Sequence, residues 1–494
     1  MTKTKTSHGI MGLGRWSILI NNGQWKPRNF DILIIELLQY AMQGKVSKIL
    51  LGVPSRHGKS TLISKNFCSY FLSHFPDEQV ILSSYSQGLA SEFGGSVKDI
   101  INNYGYLSPY NVQLSTDTKA KNKFHIASPY QGQMLATGSA GSILGFGAGL
   151  FIIDDPIKSI REAESQTIQQ RLRSWFTGTA KTRLQKRTNG LPPIMIIIAQ
   201  RLHLNDLHGI VRSTEPTISA KKAFQILRSG GTINQDVWVD LNIPAICENP
   251  EEDLLGRKKN EVLWSEQRSY DWLMAEKKAM GSYQFNAIYQ GEPQERDGEI
   301  FKREWFYDEN GHFKQYIDPE SIPSELPLLR YWDTATGGEK GDETAGILTS
   351  YDGEVVYVHN IHNAKYTAGQ LTQNIIKQAR KDGQKTFIKL EYEGGSQTRA
   401  YVSDLQHNSL IKGYGLRGDN VRKAGPKNVR SSYLEVACEN NEVKFSRNIP
   451  FKQVEKVIKQ LLAFTGEDGK KDDLVDSLSG SVRHWKREKT KIHM

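Results

Sequence analysis

The chain has 494 residues, of which 38% are hydrophobic and 24% charged, with a formal net charge of +10. That length exceeds one hydrophobic core and suits two to three domains. No apolar run reaches the ~20 residues of a bilayer span, MTKTKTSHGI lacks the apolar stretch of a secretory signal, and three scattered cysteines (Cys68, Cys247, Cys438) fit neither a disulfide framework nor a zinc cluster.

The first chemistry-bearing segment is Ser47–Thr61, SKILLGVPSRHGKST. Ile49–Val53 predicts a short strand, and the segment after Thr61 spaces its apolar residues as a helix does. Strand, loop, Gly-Lys-Ser and helix is the order a phosphate-binding loop requires, because backbone N–H groups at the helix start face the phosphates. Lys59 supplies a point charge there, and the Ser60 hydroxyl is a ligand for Mg²⁺. The spacing is irregular: the first glycine of G-x-x-x-x-G-K-[ST] is replaced by Val53, with Gly52 one residue earlier.

Next, Gly149–Pro156 (GLFIIDDP) predicts a buried strand ending in two acids. Asp154 is placed to hold Mg²⁺ through water, and Asp155 to polarise an attacking water. A third apolar strand, Ile194–Ala199, exits at Gln200-Arg201, where a polar side chain lies beside the nucleotide crevice and can sense a γ-phosphate. Strands alternating with helical stretches over 1–235 predict one α/β domain. Residues 236–320, richer in Glu, Lys, Trp and Tyr, are expected to form a linker subdomain containing the amphipathic stretch Ser269–Gln290.

From 321 the pattern changes to successive strands: Leu328–Asp333, Ala345–Ser350 and Glu354–His359, with Asp352-Gly353 as a hairpin turn. Thr386–Glu391 again ends in a carboxylate and runs into Gly394-Gly395, and a late helix opens at Lys470-Lys471-Asp472-Asp473, bringing Asp476 onto the face of Asp472 and Asp473. Acids from a first strand, a fourth strand and a late helix are how an RNase H-like fold builds a two-metal site. Two Mg²⁺ or Mn²⁺ ions need several hard oxygen ligands and stabilise both attacking and leaving oxygens of a phosphodiester. The domain is expected over 321–494, with a solvated basic tail from Lys486.

In this order the residues resemble the large terminase subunit of tailed bacteriophages. The resemblance covers almost the whole chain: Trp25-Lys-Pro27-Arg-Asn-Phe30, placed like the adenine-side segment; Val53-Pro-Ser-Arg-His-Gly-Lys59-Ser; Ser84–Ala90; Ile152–Lys158; Arg201–Leu207; Leu263-Trp264; Phe285–Pro293; Asp333-Thr-Ala; Glu391–Ser396; and Asp472–Leu478. It implies an N-terminal P-loop ATPase of the ASCE class and a C-terminal RNase H/RuvC-like nuclease, the first translocating double-stranded DNA into the prohead and the second cutting concatemers. Carried onto this chain, Arg56, His57, Gly58, Lys59, Ser60, Thr61, Asp154 and Gln200 would bind nucleotide, with Ser60 and Asp154 on the metal and Asp155 in place of the catalytic glutamate. Asp333, Glu391 and Asp476 would be catalytic metal ligands, Asp473 a further ligand, and Lys427 and Arg430 DNA contacts. Implied cofactors are ATP and Mg²⁺, with Mn²⁺ possible at the nuclease site. Implied partners are double-stranded DNA, the portal protein and prohead, a small terminase subunit and further copies in a homo-oligomeric ring, all in the host cytoplasm during assembly and away from any membrane. The net positive charge permits that polyanionic partner without requiring it.

Two departures stand out. Relatives often carry Gly-Arg-Gly before the second ATPase motif, where this chain has Gly145-Phe146-Gly147, so a trans-acting finger is left open among Arg56, Arg161, Arg171 and Arg173. Asp155 is one methylene shorter than the usual glutamate. An ATP-dependent recombination or repair nuclease unconnected with a capsid, and a non-catalytic DNA-binding scaffold, are the competing readings.

Overall fold

The structure, a computed structural model, describes residues 11–116, 120–139, 141, 143–294, 300–335, 343–392, 396–466 and 471–492. Gly394, Gly395 and Lys470 therefore lie outside the described residues. The chain divides into two compact units, Met1–Lys277 with Ser282–Gln294, and Lys278–Gly281 with Glu295–Met494. Among the described residues no helix is long and apolar enough to cross a membrane, and the three cysteines are free and buried.

The first unit is built on eight strands: β1 (Lys48–Gly52), β2 (Gln79–Ser84), β3 (Lys123–His125), β4 (Gln133–Gly138), β5 (Leu150–Asp154), β6 (Ile194–Ala199), β7 (Thr217–Ser219) and β8 (Trp238–Asn242). They lie in the order β3-β4-β2-β5-β6-β1-β8-β7, parallel except for β3 against β4. β5 and β6 are buried along their whole length, as expected of parallel strands covered on both faces. Alternate residues serve opposite layers: Ile194, Ile196 and Ile198 join one apolar cluster with Phe67, Phe71 and Phe224, while Met195 and Ile197 join another with Trp175, Phe176 and Val211. β6 is inserted between β1 and β5, the arrangement expected of an ASCE ATPase. β8, within the interval expected as a linker, pairs with β1 over its full length. Farther on, Ser269 caps the helix Tyr270–Phe285 by accepting the Trp272 N–H at 3.2 Å. The buried Gln290 exchanges two hydrogen bonds with the backbone of Ile246.

The helix Leu207–Thr214 carries a buried imidazole. Asp206 caps it, accepting the Gly209 N–H at 3.0 Å and pairing with the buried Arg201 at 2.9 Å. One residue into the helix, neither ring nitrogen of His208 has a hydrogen-bond partner. Burial pushes its pKa down from 6.5 to about 4; Asp206 opposes the shift, and Arg201 and Arg212 add to it. The unfolded chain therefore binds a proton at a pH where the folded one does not, and stability falls as pH drops from 6.5 towards 4. Between pH 7 and pH 5 that amounts to about 2 kcal/mol. Urea unfolding at both pH values should show the His208→Leu variant losing less stability than the parent by about that amount; equal losses would rule out a buried neutral imidazole.

The second unit holds β9 (Tyr316–Ile317), β10 (Leu328–Asp333), β11 (Thr344–Tyr351), β12 (Val356–Ala364), β13 (Phe387–Tyr392), β14 (Gly415–Asn420) and β15 (Val443–Ser446). Their order is β14-β13-β10-β11-β12-β15-β9. β10, β11 and β12 form an antiparallel meander, and β13 and β14 add in parallel on the β10 side. This is the RNase H-like sheet. Leu329, Tyr331 and Ile347 pack with Leu474, Leu478 and Val482 of the last helix; Trp332, Ile388 and Leu390 face the layer that contains Leu371 and Ile375.

Candidate active sites

In the first unit the strand ends converge, because β1, β5 and β6 run parallel with Gly52 beside Ala199 and Asp154 beside Ile198. The Asn242 amide lies against Gly52: a Cβ there would fall 2.3 Å from Asn242 Oδ1 and would displace a side chain that donates to Gln290 O at 2.9 Å. The following loop turns through two left-handed residues, Arg56 (φ 63°) and Gly58 (φ 82°). It then enters a helix wound as a π-helix over Thr61–Phe67 and as an α-helix over Cys68–His74. Lys59 is buried, and its Nζ lies 2.7 Å from Asp155 Oδ2. Asp155 sits at φ 44°, a left-handed conformation that Asp tolerates better than most residues. Its Oδ1 accepts the backbone N–H of Gln200 at 3.2 Å, so position 200 meets the acid through its main chain.

Asp154 is buried at the end of β5. Ser64 Oγ donates to its Oδ2 at 2.6 Å, and the Ser60 hydroxyl lies near enough to favour the charged form of this carboxyl. Oδ1 is buried without a partner. Burial, then the charge of Asp155, raise the Asp154 pKa to about 6 against the pull of Lys59, Ser64 and Ser60. An orphaned carboxylate oxygen beside a serine hydroxyl is hard-donor chemistry that fits Mg²⁺, which takes one or two protein oxygens and leaves the rest to water and phosphate.

His57 is buried. Its Nδ1 lies 2.9 Å from Ser55 O, its ring packs between Phe30 and Trp264, and burial pushes its pKa down to about 4, with Arg28, Arg268 and Lys59 adding to the shift. The Arg28 guanidinium lies over both aromatic rings, 4.4 and 4.1 Å from their centroids. It also stands 3.1 Å from where a Gly58 side chain would begin. Arg56, Arg161, Arg171 and Arg173 are all exposed, whereas Phe146 packs in an apolar cluster with Ile143, Ala148 and Trp175.

The second unit gathers acids from distant positions. Trp332 pairs with Leu390 in the parallel β10–β13 register, so Asp333 and Glu391 are the next residues of neighbouring strands. The helix Asp473–Ile492 brings Asp473 and Asp476 in its first turn. Burial, followed by the charges of Glu391, Asp476 and Asp473, lifts the Asp333 carboxyl well above its ordinary range, with Lys427 opposing. Burial also raises Glu391 to about 7; Arg430 pulls against it and Asp476 adds to it. Lys427 Nζ lies 2.7 Å from Asp472 Oδ2 and 3.1 Å from Asp476 Oδ2, and Arg430 pairs with Glu391 Oε1.

Mutually repelling carboxylates, with Glu391 and Asp476 buried and Asp333 and Asp473 half-buried, are a donor set that suits divalent cations. Among the described residues no three acids or imidazoles converge closely enough to enclose an ion as they stand; the Lys427 ammonium and Arg430 guanidinium balance the charge instead. The chemistry fits the ions, and enclosing them requires these side chains to shift.

Three residues at this centre carry no sequence signal. Tyr331 Oη lies 3.3 Å from Glu391 Oε2 and 2.7 Å from Asp419 Oδ2, and Arg483 pairs with Asp419 at 2.7 Å. Asp419 stands opposite Glu391 in the β13–β14 register. Only knowledge that Gly415–Asn420 is a strand, and of its register, would have found it.

Residues 330–483 match the family model described as the terminase RNaseH-like domain. The match spans β10 to the last helix and contains Asp333, Glu391, Lys427, Arg430, Asp473 and Asp476. The second unit thus carries a terminase RNase H-like domain. Among solved structures, the chain is similar to the large terminase of a thermophilic bacteriophage in complex with ATP-γ-S, at 11% identity over 92% of this chain and 98% of that one, TM-score 0.44. It is similar to the bacteriophage HK97 large terminase at 12% identity over 96% and 99%, TM-score 0.36. The nuclease domain of the bacteriophage SPP1 large terminase with bound Mn is 11% identical over 34% of this chain and 95% of that one, TM-score 0.25. No curated protein matches.

Proposed function

We propose that the chain is a phage terminase large subunit, whose first unit hydrolyses ATP to drive double-stranded DNA into a prohead and whose second unit cuts concatemeric DNA. One observation carries the reading: Asp333, Glu391 and Asp476, separated by up to 143 positions in the chain, come within mutual electrostatic reach at one end of an RNase H-like sheet. The three acids repel one another, and Lys427 on Asp476 and Arg430 on Glu391 supply the positive charge that such a cluster requires, the place a divalent cation would take.

In the first unit, Lys59 and the N–H groups at the helix start face the terminal phosphates, Ser60 and Asp154 hold Mg²⁺, and Asp155 orients the attacking water. In the second, Asp333, Glu391, Asp476 and Asp473 hold two Mg²⁺ or Mn²⁺ ions, which supply water activation and stabilise the attacking and leaving oxygens. Lys427 and Arg430, displaced from the acids, engage the DNA backbone. Grip through phosphates is sequence-tolerant and weakens with salt. The portal, a small terminase subunit and a ring of further copies complete the machine, which would work in the host cytoplasm during assembly.

Incubating the purified chain with plasmid in Mn²⁺, in Mg²⁺ and in EDTA tests the reading. Cutting in the divalent ions, none in EDTA, and ATP hydrolysis stimulated by portal-bearing proheads are expected. Cutting that persists in EDTA would refute the metal centre. A chain that cuts and hydrolyses ATP with no response to proheads would favour a repair nuclease.

A further inference from the structure

We infer that Tyr331 is a positioning residue that holds Glu391 for the metal ions, with Arg483 freeing its proton for that task; the inference rests on the reading of the acidic centre as a divalent-cation site. The Tyr331 side chain is fully buried, and its hydroxyl reaches two carboxylates, Asp419 Oδ2 at 2.7 Å and Glu391 Oε2 at 3.3 Å. A phenol has one proton to give. Arg483 donates both to Asp419 Oδ2, at 2.7 Å, and to the Tyr331 oxygen, at 3.0 Å. Asp419 therefore keeps a charged donor when the hydroxyl proton turns to Glu391.

Tyr331 beside Oε2 gives Glu391 a donor that fixes its plane even when Arg430, here on Oε1, turns to the DNA, leaving lone pairs for an ion. Such outer partners orient metal ligands. The same residue sets the acid-bearing helix. Asp476, Gly480 and Arg483 follow at i, i+4 and i+7, one helical face. A Cβ on Gly480 would fall 2.1 Å from Tyr331 Cζ, so this glycine lets the helix seat against the phenol ring. One turn earlier, Ser477 Oγ donates to the Tyr331 carbonyl at 2.8 Å. Tyr331 thus gauges the separation of Glu391 on β13 from Asp476 on the helix.

The test is a Mn²⁺ titration of the full chain, following free Mn²⁺ by electron paramagnetic resonance, in the parent, Tyr331→Phe, Arg483→Lys and Asp333→Asn proteins. Tyr331→Phe keeps the ring and removes only the hydroxyl; Arg483→Lys keeps the charge and breaks the shared donation. Each should weaken Mn²⁺ binding by roughly 10- to 100-fold, with melting temperatures in EDTA close to the parent's. The Mn²⁺ concentration for half-maximal cutting should rise in parallel while the rate at saturating Mn²⁺ falls little. Parent-like Mn²⁺ affinity in either variant would overturn the inference while leaving the metal centre intact. A parent that binds no more Mn²⁺ than Asp333→Asn would overturn the centre, and the inference with it.

Discussion

Replacing Lys59 with alanine is expected to lower ATP turnover by about 10²- to 10³-fold, the loss that follows removal of one preorganised charge from a developing transition state. Lys59 holds a second role that the distance reveals. Its ammonium is 2.7 Å from Asp155 and pulls the raised Asp154 carboxyl downward. Without it, two adjacent acids on a buried strand end face each other uncompensated, so Asp154 moves above about 6 and the acid limb of the turnover–pH profile shifts to higher pH. Lys59→Ala should therefore lose activity most steeply below neutral pH, and raised Mg²⁺ should restore part of it by competing with the proton. Phosphate release measured across pH 5.5–8.5 at saturating nucleotide checks both effects, with plasmid cutting in Mn²⁺ as the control expected to stay at the parent level. Turnover within tenfold of the parent would remove Lys59 from the phosphate site.

The strand–loop–helix order around Gly58 was legible because its signals are local. An apolar strand, a Pro-containing turn and Gly-Lys-Ser follow one another within a single short stretch of sequence, while the two left-handed positions, Arg56 and Gly58, and the contact of Gly52 with Asn242 emerge only in the fold. The positions of the acids at 154, 333, 391 and 476 were legible for a related reason, since each lies at the end, or within the last or first few residues, of a regular element whose period is visible in the sequence. What escaped depends on pairing between remote segments. Tyr331, Asp419 and Arg483 touch across separations of 64 to 152 positions, and nothing in LLRYWD says that its tyrosine faces a strand-end acid. His57 reads as part of a phosphate cradle, yet its ring is buried between two aromatics drawn from Phe30 and Trp264. In the same way, Gln200 reads as a side-chain sensor but meets Asp155 through its backbone.

Asp333→Asn is expected to abolish cutting, by about 10³-fold or more, because a neutral amide replaces an anionic ligand and a metal's Lewis-acid contribution is several kcal/mol. The same change should stabilise the metal-free protein. The Asp333 carboxyl is raised well above its ordinary range by burial and by Glu391, Asp476 and Asp473. Above the unfolded value of 3.8 the folded state therefore holds a proton that the unfolded chain has released. Stability from this group is lost as pH rises towards the folded pKa. Asparagine has no proton to lose, so in EDTA the variant should melt above the parent, and the gap should widen between pH 5 and pH 8. Mn²⁺ should reverse the order: ions that bind only the folded parent stabilise it by mass action, while the variant, short of a ligand, gains little. Calorimetry in EDTA and in Mn²⁺ at both pH values reads this crossing directly. A parent and variant that melt together in EDTA at pH 8 would mean that Asp333 pays no penalty for its neighbours. An equal Mn²⁺ shift in both would mean that the ions sit elsewhere. The acid that weakens the empty fold is thus the one the loaded centre cannot do without, and the two effects are separable by a single substitution.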